Sequence, residues 1–496
     1  MKVAVIGAGV AGMTAAYQLA KGGARVDVFE ASDNVGGLSR TIELWGQRVD
    51  LGPHRFFSGD GRVNRLWLEL AGNDYRMVDR LTRIYYRRRF FRYPLKPANA
   101  LRNMGPFEAA RCMLSYLRQK LPARAASRGS AGAPDGETFE SWVVDRFGRR
   151  LFEMFFKSYS EKLWGIPCSE LDADFAAQRI KRFSLGQAIR SAVGPGRARH
   201  KTLVDRFAYP LEGSGMIYRR MAERVRRLGG SVRLRTPVRR VLTGEPPLHV
   251  LDGPGRRPCR ERRVWGIELA DGRREPYDRV ISTMPLTALV RGLSDLPPEV
   301  QAAVDALGFR NTVLVYLHVD RPELFPDQWL YVHSPELRMG RVTNFRNWVP
   351  ELYGDRQTTI LALEYWCYDR DAMWTDDDRP LVELARREIA ATGLVDARAV
   401  REGQVIRLHQ CYPVYRRGYK KHLARIVPWL ATIRGLTAIG RYGAFKYNNQ
   451  DHSILMGILA AENLLEGRGH DLWAVNTDYD AYQEDAATIE ELARAA

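Results

Sequence analysis

The sequence is poor in cysteine and has no long apolar run. Its 496 residues include five cysteines, which lie far apart: Cys112, Cys168, Cys259, Cys367 and Cys411. Neither CxxC chemistry nor a disulfide framework is therefore expected, and no metal site is predicted. No stretch reaches the roughly 18 consecutive apolar residues of a membrane span, so no transmembrane segment is expected. The scattered cysteines make a reducing cytoplasm the expected compartment. The first apolar run, 3–6, is only as long as a strand and leads into glycines, unlike a signal peptide.

The chain is short of negative charge, yet no nucleic-acid module accompanies its positive excess. The net charge is +18, from 76 Lys and Arg against 58 Asp and Glu. Basic clusters occur at 87–89, 260–263 and 416–417, but zinc-finger spacing and RNP signatures are lacking. The charge predicts an anionic partner, and nucleic acid is not the expected one.

The segment 106–121 has the pattern of an amphipathic helix and carries Arg111, Arg118 and Lys120. A basic amphipathic helix is one means by which a protein contacts a membrane surface. The alternative, an ordinary helix with one solvated face, is favoured by the sequence alone.

Apolar patterning predicts a βαβ unit at the start of the chain. Residues 3–6 and 25–29 are typical of buried parallel strands, with a turn at 7–12 and a helix at 13–21 between them. Helical periodicity is found over 138–162. Short strands are predicted at 232–234, 263–268, 279–282, 312–319 and 358–366, followed by a helix at 380–392, a strand at 436–439 and a helix at 454–465.

The turn of the βαβ unit has the spacing of a dinucleotide-binding loop. Gly7, Gly9 and Gly12 form a GxGxxG sequence. Such glycines allow a tight turn, a close approach of backbone to pyrophosphate, and close packing of helix on strand, while the helix N-terminus faces the anion. Glu30 ends the second strand, where a carboxylate binds a ribose hydroxyl. The unit therefore predicts a bound dinucleotide, either NAD or FAD.

Two further segments resemble amine-oxidase-like flavoproteins. The run 34–40, which contains Gly36, Gly37, Leu38 and Arg40, resembles the second glycine motif that packs on the FAD diphosphate in that superfamily. Gly440 and Arg441 resemble the C-terminal segment at the flavin ring, and Val238 resembles the residue whose backbone meets the adenine end. The resemblance implies FAD as the cofactor, held by the residues named here together with those of the first glycine loop.

The same resemblance implies an α/β fold: a Rossmann-like FAD-binding domain of the GR2-type flavoproteins, with inserted helical and β-sheet substrate-binding regions. We expect 1–75, 205–300 and 400–496 to form the discontinuous FAD-binding domain. Residues 76–204 are expected to form a mainly helical substrate region, and 301–399 a β-sheet substrate region.

Within the superfamily, several segments resemble UDP-galactopyranose mutases. The run 52–57, with His54, is similar to their glycine-x-histidine segment near the flavin. The run 159–165 and its continuation to residue 180 resemble their substrate-binding Tyr…Trp-Gly…Arg stretch, and two C-terminal segments resemble those that place tyrosines on the substrate pyrophosphate. The implied substrate residues are Tyr159, Trp164, Arg179, Tyr412, Tyr447 and Asn449.

The sequence departs from the mutases at two places. Asn449 stands where the family has an acidic residue. The family's arginine on a central strand has no clean counterpart here: Arg346 and Arg356 both fall nearby, and the sequence does not decide between them. With His54, these two arginines complete the candidate catalytic set.

Two functions compete. In a mutase, reduced flavin bonds transiently to the sugar of a nucleotide sugar while a pyranose ring converts to a furanose, so an electron source such as NAD(P)H or a reductase is implied. In an oxidoreductase of the amine oxidase or protoporphyrinogen oxidase type, oxidised flavin accepts hydride from a small-molecule substrate. The sequence favours the mutase, and a homo-oligomer is compatible with either function.

Overall fold

A parallel sheet and a larger mixed sheet organise the chain. The computed structural model describes residues 1–93, 95, 97–120, 137–175, 206–244, 262–476 and 489. The strands, numbered in chain order, are β1 (Lys2–Ile6), β2 (Arg25–Phe29), β3 (Thr41–Leu44), β4 (Gln47–Asp50), β5 (Tyr75–Asp79), β6 (Thr82–Tyr86), β7 (Arg89–Arg92), β8 (Arg206–Pro210), β9 (Ser231–Arg233), β10 (Val238–Thr243), β11 (Val264–Leu269), β12 (Arg274–Pro276), β13 (Arg279–Ser282), β14 (Phe309–Val319), β15 (Trp329–Val332), β16 (Arg341–Asn344), β17 (Thr359–Cys367), β18 (Val400–Pro413) and β19 (Leu436–Ala438).

Helices cover both sheets. They are α1 (Val10–Lys21), α2 (Gly61–Ala71), α3 (Pro97–Met104), α4 (Pro106–Lys120), α5 (Phe139–Phe147), α6 (Arg149–Phe152), α7 (Ser158–Trp164), α8 (Gly215–Arg227), α9 (Leu286–Arg291), α10 (Pro298–Asp305), α11 (Ala372–Thr375), α12 (Asp378–Ala391), α13 (Tyr419–Ala431), α14 (Gly440–Gly443) and α15 (Gln450–Glu466). A π-helical turn, Glu153–Lys157, joins α6 to α7.

The parallel sheet has the strand order β19-β13-β1-β2-β9. Its centre is β1, where Val3, Ala4 and Val5 are fully buried, because both faces of a parallel sheet are covered. Helix α1 packs against α15, and Gly457 permits the approach: a Cβ there would lie 2.7 Å from the Cβ of Thr14. The Rossmann-like α/β fold predicted from the sequence is confirmed.

The mixed sheet has the strand order β18-β14-β17-β16-β15-β6-β7. All eleven residues of β14 are buried, since the strand is flanked by β17 and β18 and faces α12 on one side. Every described pairing in this sheet is antiparallel except that of β15 with β6.

The three predicted regions of the chain do not correspond to separate sheets. Strands β6 and β7, from the region 76–204, and β18, from the region 400–496, join the strands of 301–399 in the mixed sheet. The proposed division into domains stays a prediction. In the described part of the chain, no helix combines the length and the apolar character needed to cross a bilayer.

Candidate active site

The two N-terminal glycine segments lie against each other. Gly7 has φ +93°, and a Cβ on Gly12 would lie 2.0 Å from the carbonyl oxygen of Gly7, so neither position accepts a side chain without distortion. Gly36 donates its backbone N–H to the carbonyl of Ala8 at 2.8 Å, and a Cβ on Gly37 would lie 3.0 Å from the Cα of Gly9. The result is an open backbone cradle at the N-terminus of α1, suited to an anion.

Glu30 lies at the edge of this cradle. Its carboxylate accepts hydrogen bonds from the backbone N–H of Ala8 at 2.7 Å and from both the backbone and the hydroxyl of Ser32 at 2.9 Å. The segment leading to Val238 is joined to the same corner, because Thr236 donates its N–H to the carbonyl of Glu30 at 2.8 Å. The predicted ribose and adenine residues are therefore neighbours.

The C-terminal glycine segment closes the cradle from the other end of the chain. Gly440 has φ +85°, and a Cβ there would lie 3.0 Å from the Cβ of Ala11. Arg441 follows, and its guanidinium donates to the carbonyls of Cys411 at 2.8 Å and Asn448 at 3.0 Å. These bonds fix Arg441 between β18 and the loop that precedes α15.

The cradle fits a dinucleotide by two independent features. The glycines allow backbone from two loops to meet without side chains between them, because a Cβ on Gly12 or Gly37 would contact the backbone of Gly7 or Gly9. Next to it, Arg40 follows the 3₁₀ turn that contains Leu38, and the Nε of Arg40 is buried without a hydrogen-bond partner among the described residues. A buried donor of this kind favours an anionic acceptor that is not part of the chain.

A group of tyrosines and a tryptophan adjoins Arg441. The rings of Tyr412 and Tyr447 stack with centroids 5.5 Å apart, and the Arg441 guanidinium lies 4.6 Å and 4.3 Å from them. Trp164, fully buried at the end of α7, contacts both rings edge-on. Tyr159, one turn earlier, stacks on His333 with centroids 4.8 Å apart. Four of the predicted substrate residues therefore lie in one aromatic group.

Arg341 is the arginine that the structure brings to this group. It opens β16 directly opposite Glu364 in β17, and its Nε donates to the Glu364 carboxylate at 2.7 Å, with a second bond from Nη2. Burial opposes its charge, but Glu364 outweighs burial and the pKa of Arg341 is raised. The positive charge of Arg341 acts on Tyr159, Tyr412 and His54.

Arg346 and Arg356, the two arginines expected here, have other partners. Arg346 donates to the backbone carbonyls of Arg356 at 2.7 Å and Thr358 at 3.0 Å, and it lies over the ring of Tyr353. Arg356 is exposed beside the β3–β4 turn, within 2.7 Å of where Gly46 would carry a Cβ. The structure does not bring either arginine together with the aromatic group, because the strand register puts Arg341 there instead.

His54 lies beside the Arg341–Glu364 pair. Gly52 separates them: a Cβ on Gly52 would lie 3.3 Å from a Glu364 carboxylate oxygen and 3.7 Å from the Cε1 of His54. Burial lowers the pKa of His54 to about 3, and the charges of Arg341 and Arg441 contribute to the shift. The imidazole is therefore neutral at physiological pH.

The tyrosine hydroxyls in this group act as donors. Burial raises the pKa of both Tyr159 and Tyr412, so both stay protonated. Neutral phenols and two guanidinium groups can bind a diphosphate without a metal ion.

Two further predicted residues are Asn449 and Arg179. Asn449 is exposed and caps α15, with its N–H donated to the Nδ1 of His452 at 3.2 Å. Arg179 lies outside the described residues. The sequence reasoning also missed Glu364, although a signal existed: it is the single charge in the apolar strand Thr359–Cys367, and a buried charge requires a charged partner.

The chain is similar to several known proteins. The family model described as "Flavin containing amine oxidoreductase" matches residues 10–465. A probable UDP-galactopyranose mutase of Klebsiella pneumoniae is 28% identical over 189 residues, which are 37% of this chain and 46% of that protein, so the match spans less than half of the relative's length. A coproporphyrinogen III oxidase of Mycobacterium tuberculosis (strain ATCC 25618 / H37Rv) is 25% identical over 331 residues, 65% of this chain and 67% of that protein.

A solved structure supports the fold. Reduced UDP-galactopyranose mutase superposes with a TM-score of 0.78 at 21% identity, over 96% of this chain and 98% of that one. At this identity the likeness concerns the fold alone. Because the family model covers nearly the whole chain and the glycine cradle fits a dinucleotide, this chain belongs to the flavin-containing amine oxidoreductase family and is an FAD-dependent enzyme.

Proposed function

We propose that the enzyme acts on a nucleotide sugar or a similar anionic substrate and catalyses the interconversion of its pyranose and furanose rings. The observation that carries the proposal is the group formed by Tyr159, Tyr412 and Tyr447 with Arg341 and Arg441. It offers protonated phenols and two guanidinium charges on one surface, next to the segment of His54. This donor set matches a diphosphate.

The FAD assignment at residue level is part of the proposal. Gly7, Gly9 and Gly12 would receive the diphosphate together with Gly36, Gly37 and Leu38, and Arg40 would neutralise it. Glu30 would bind the adenosine ribose and the backbone of Val238 the adenine. Gly440 and Arg441 would lie at the flavin end of the cofactor. In its reduced form, FAD supplies the nucleophile that such a ring interconversion needs, so NAD(P)H or a reductase would be its electron source.

The residues of the chain would hold the substrate during this chemistry. Arg341, kept charged by Glu364, and Arg441 would bind the diphosphate of the substrate. They would compensate the negative charge of this diphosphate when its bond to the sugar breaks. Trp164 would form a wall of the pocket. The neutral imidazole of His54 would orient a sugar hydroxyl or the flavin without adding charge.

An FAD-dependent oxidoreductase is the second candidate. It is favoured by the match to coproporphyrinogen III oxidase, which is longer than the match to the mutase. Aromatic side chains such as Trp366, whose ring contacts those of Tyr159 and Tyr412, could also enclose an apolar substrate.

One experiment separates the candidates. The purified protein is incubated anaerobically with a panel of nucleotide sugars, with and without dithionite, and its oxygen consumption is measured separately with porphyrinogen and amine substrates. Product that forms only with dithionite supports the mutase. Oxygen consumption without any isomerised product would overturn it. A cytoplasmic site of action and a homo-oligomeric state are proposed on the sequence argument alone.

A further inference from the structure

A surface remote from the parallel sheet is both apolar and basic. In the described part of the chain, eight large apolar side chains are exposed, and five of them lie on α3 and α4: Leu101, Phe107, Met113, Leu114 and Leu117. Phe107 is 76% exposed and Leu114 53% exposed. Soluble surfaces show single apolar residues of this kind, whereas a group of them indicates an interaction site.

The spacing makes these residues one face. On α4, positions 107, 114 and 117 follow helical periodicity, and Cys112, on the other side of the helix, is buried with its Sγ 3.8 Å from the Sδ of Met154. The helix is therefore docked on the protein by one side and presents apolar side chains on the opposite one. We call this face, together with α3 and the β6–β7 turn, the α3–α4 face.

Charge complementarity identifies the occupant. Between residues 81 and 120 the sequence has ten Lys and Arg and one acidic residue, so this stretch carries half of the net charge of +18. The single acid, Glu108, is paired with Arg150 at 2.5 Å and 2.9 Å. Glu108 also lies 3.7 Å from Arg111, and Arg83 is paired with Asp327, but the stretch as a whole keeps a large excess of positive charge.

The β6–β7 turn adds three consecutive exposed arginines beside α3. Arg87 and Arg88 both have positive φ, +47° and +62°, in a turn where glycine and asparagine fit more easily. The turn is held against α3 because Asn103 donates its side-chain amide to the carbonyl of Phe90 at 2.9 Å. Exposed basic side chains thus lie in the turn beside α3 and on α4 itself, which carries Arg111, Arg118 and Lys120.

We propose that the α3–α4 face binds the surface of an anionic lipid bilayer. The apolar side chains enter the interface between headgroups and acyl chains, and the surrounding arginines and lysines contact the anionic headgroups. A cavity of about 800 Å³ lies behind the same helices. It is lined by Met104 and Glu108 on the helices and by Ser158 and Glu161 on α7, which also carries Tyr159. The bound bilayer is therefore adjacent to a cavity that reaches the helix of the candidate active site.

The proposal goes beyond the proposed reaction and is tested without it. FAD-loaded protein is sedimented with vesicles of phosphatidylcholine alone and with vesicles that contain phosphatidylglycerol. Binding is expected only with phosphatidylglycerol and should fall as salt screens the headgroups. Each basic contact that is removed should weaken binding roughly fivefold. Equal binding to both vesicle types, or binding to neither, overturns the proposal.

Variants locate the contact. Leu114→Asp and the double change Arg87→Glu/Arg88→Glu should each abolish sedimentation. The matched control is Leu228→Asp, because Leu228 is 49% exposed but lies at the end of α8. Loss of binding in the control to the same extent overturns the assignment. Light scattering tests the alternative occupant, a second copy of the chain. A dimer that Leu114→Asp dissociates would show that a second copy covers the face, and the lipid proposal would fail. Flavin content is measured in every variant to confirm that it is folded.

Discussion

The buried Arg341–Glu364 pair contributes to the stability of the fold, and its arginine is also proposed to bind the substrate. Substitutions can measure these two contributions separately. The side chain of Glu364 is 2% exposed and that of Arg341 16% exposed. Removal of one member of a buried ion pair leaves the other charge uncompensated and costs about 3–5 kcal/mol. Arg341→Met should therefore destabilise the protein by about 3 kcal/mol or more, since Glu364 would remain buried without its partner.

A double substitution gives the decisive comparison. Replacement of a buried pair by apolar side chains is often neutral or stabilising. Arg341→Met/Glu364→Leu should therefore recover most of the stability that Arg341→Met loses, as measured by urea unfolding followed through tryptophan fluorescence. Nucleoside diphosphate binding should stay weak in the double variant, because the guanidinium is still missing.

Calorimetry with UDP, GDP and dTDP measures how tightly each variant binds nucleoside diphosphates. Glu364→Gln keeps Arg341 and should retain binding, although the protein is less stable. Two results would refute the reasoning: a double variant no more stable than Arg341→Met, or one that binds the nucleotides as wild type does. The first would show that the pair is not coupled, and the second that Arg341 does not contact the substrate.

Three further predictions concern the cofactor, the substrate and pH. Gly9→Val should yield colourless protein because its side chain would occupy the diphosphate cradle, whereas Gly308→Val, with nothing within 4 Å of its Cβ position, should purify with full flavin absorbance. Tyr447→Phe should weaken UDP binding roughly tenfold in calorimetry with unchanged flavin content, since a hydrogen bond to a charged group contributes about 1.5–3 kcal/mol, and unchanged affinity would exclude the contact. Burial raises the pKa of Asp50 to about 6, so folding favours its protonated form and the associated stability, about 3 kcal/mol, is lost as the pH rises from 4 through 6. Asp50→Asn should remove this part of the pH dependence in urea unfolding, and a slope equal to that of wild type would assign it to other groups.

Local signals explain which elements the sequence predicts well. The strands Arg25–Phe29 and Arg279–Ser282 have the predicted bounds, because each is a short segment that begins with an arginine and contains valine with phenylalanine or isoleucine. The helix after the glycine loop begins earlier than predicted, at Val10 rather than residue 13, since the glycines at its start mask helical periodicity.

Elements that depend on pairing between distant parts of the chain are the ones that the sequence does not predict. The strands β6 and β7 lie in a region expected to be helical, and β6 is a strand because it pairs with β15, more than 200 residues away. The same dependence on pairing hides Arg341: only the register of β16 on β17 places it opposite Glu364 and beside the aromatic group. The proposed FAD cradle is different, since its first three glycines and Glu30 lie within one βαβ unit.

The strands of the parallel sheet come from distant parts of the chain and are therefore synthesised at different times. Its central strand β1 leaves the ribosome well before β19 and Gly440, which complete the sheet and the proposed cradle. At about 5–20 residues per second, roughly 20–90 s separate the two ends of the site. During that interval the N-terminal βαβ unit exists without the C-terminal segment that packs against the start of α1. We therefore expect full retention of FAD to be a late event, and a chain that stops before residue 436 lacks β19, the edge strand of the parallel sheet.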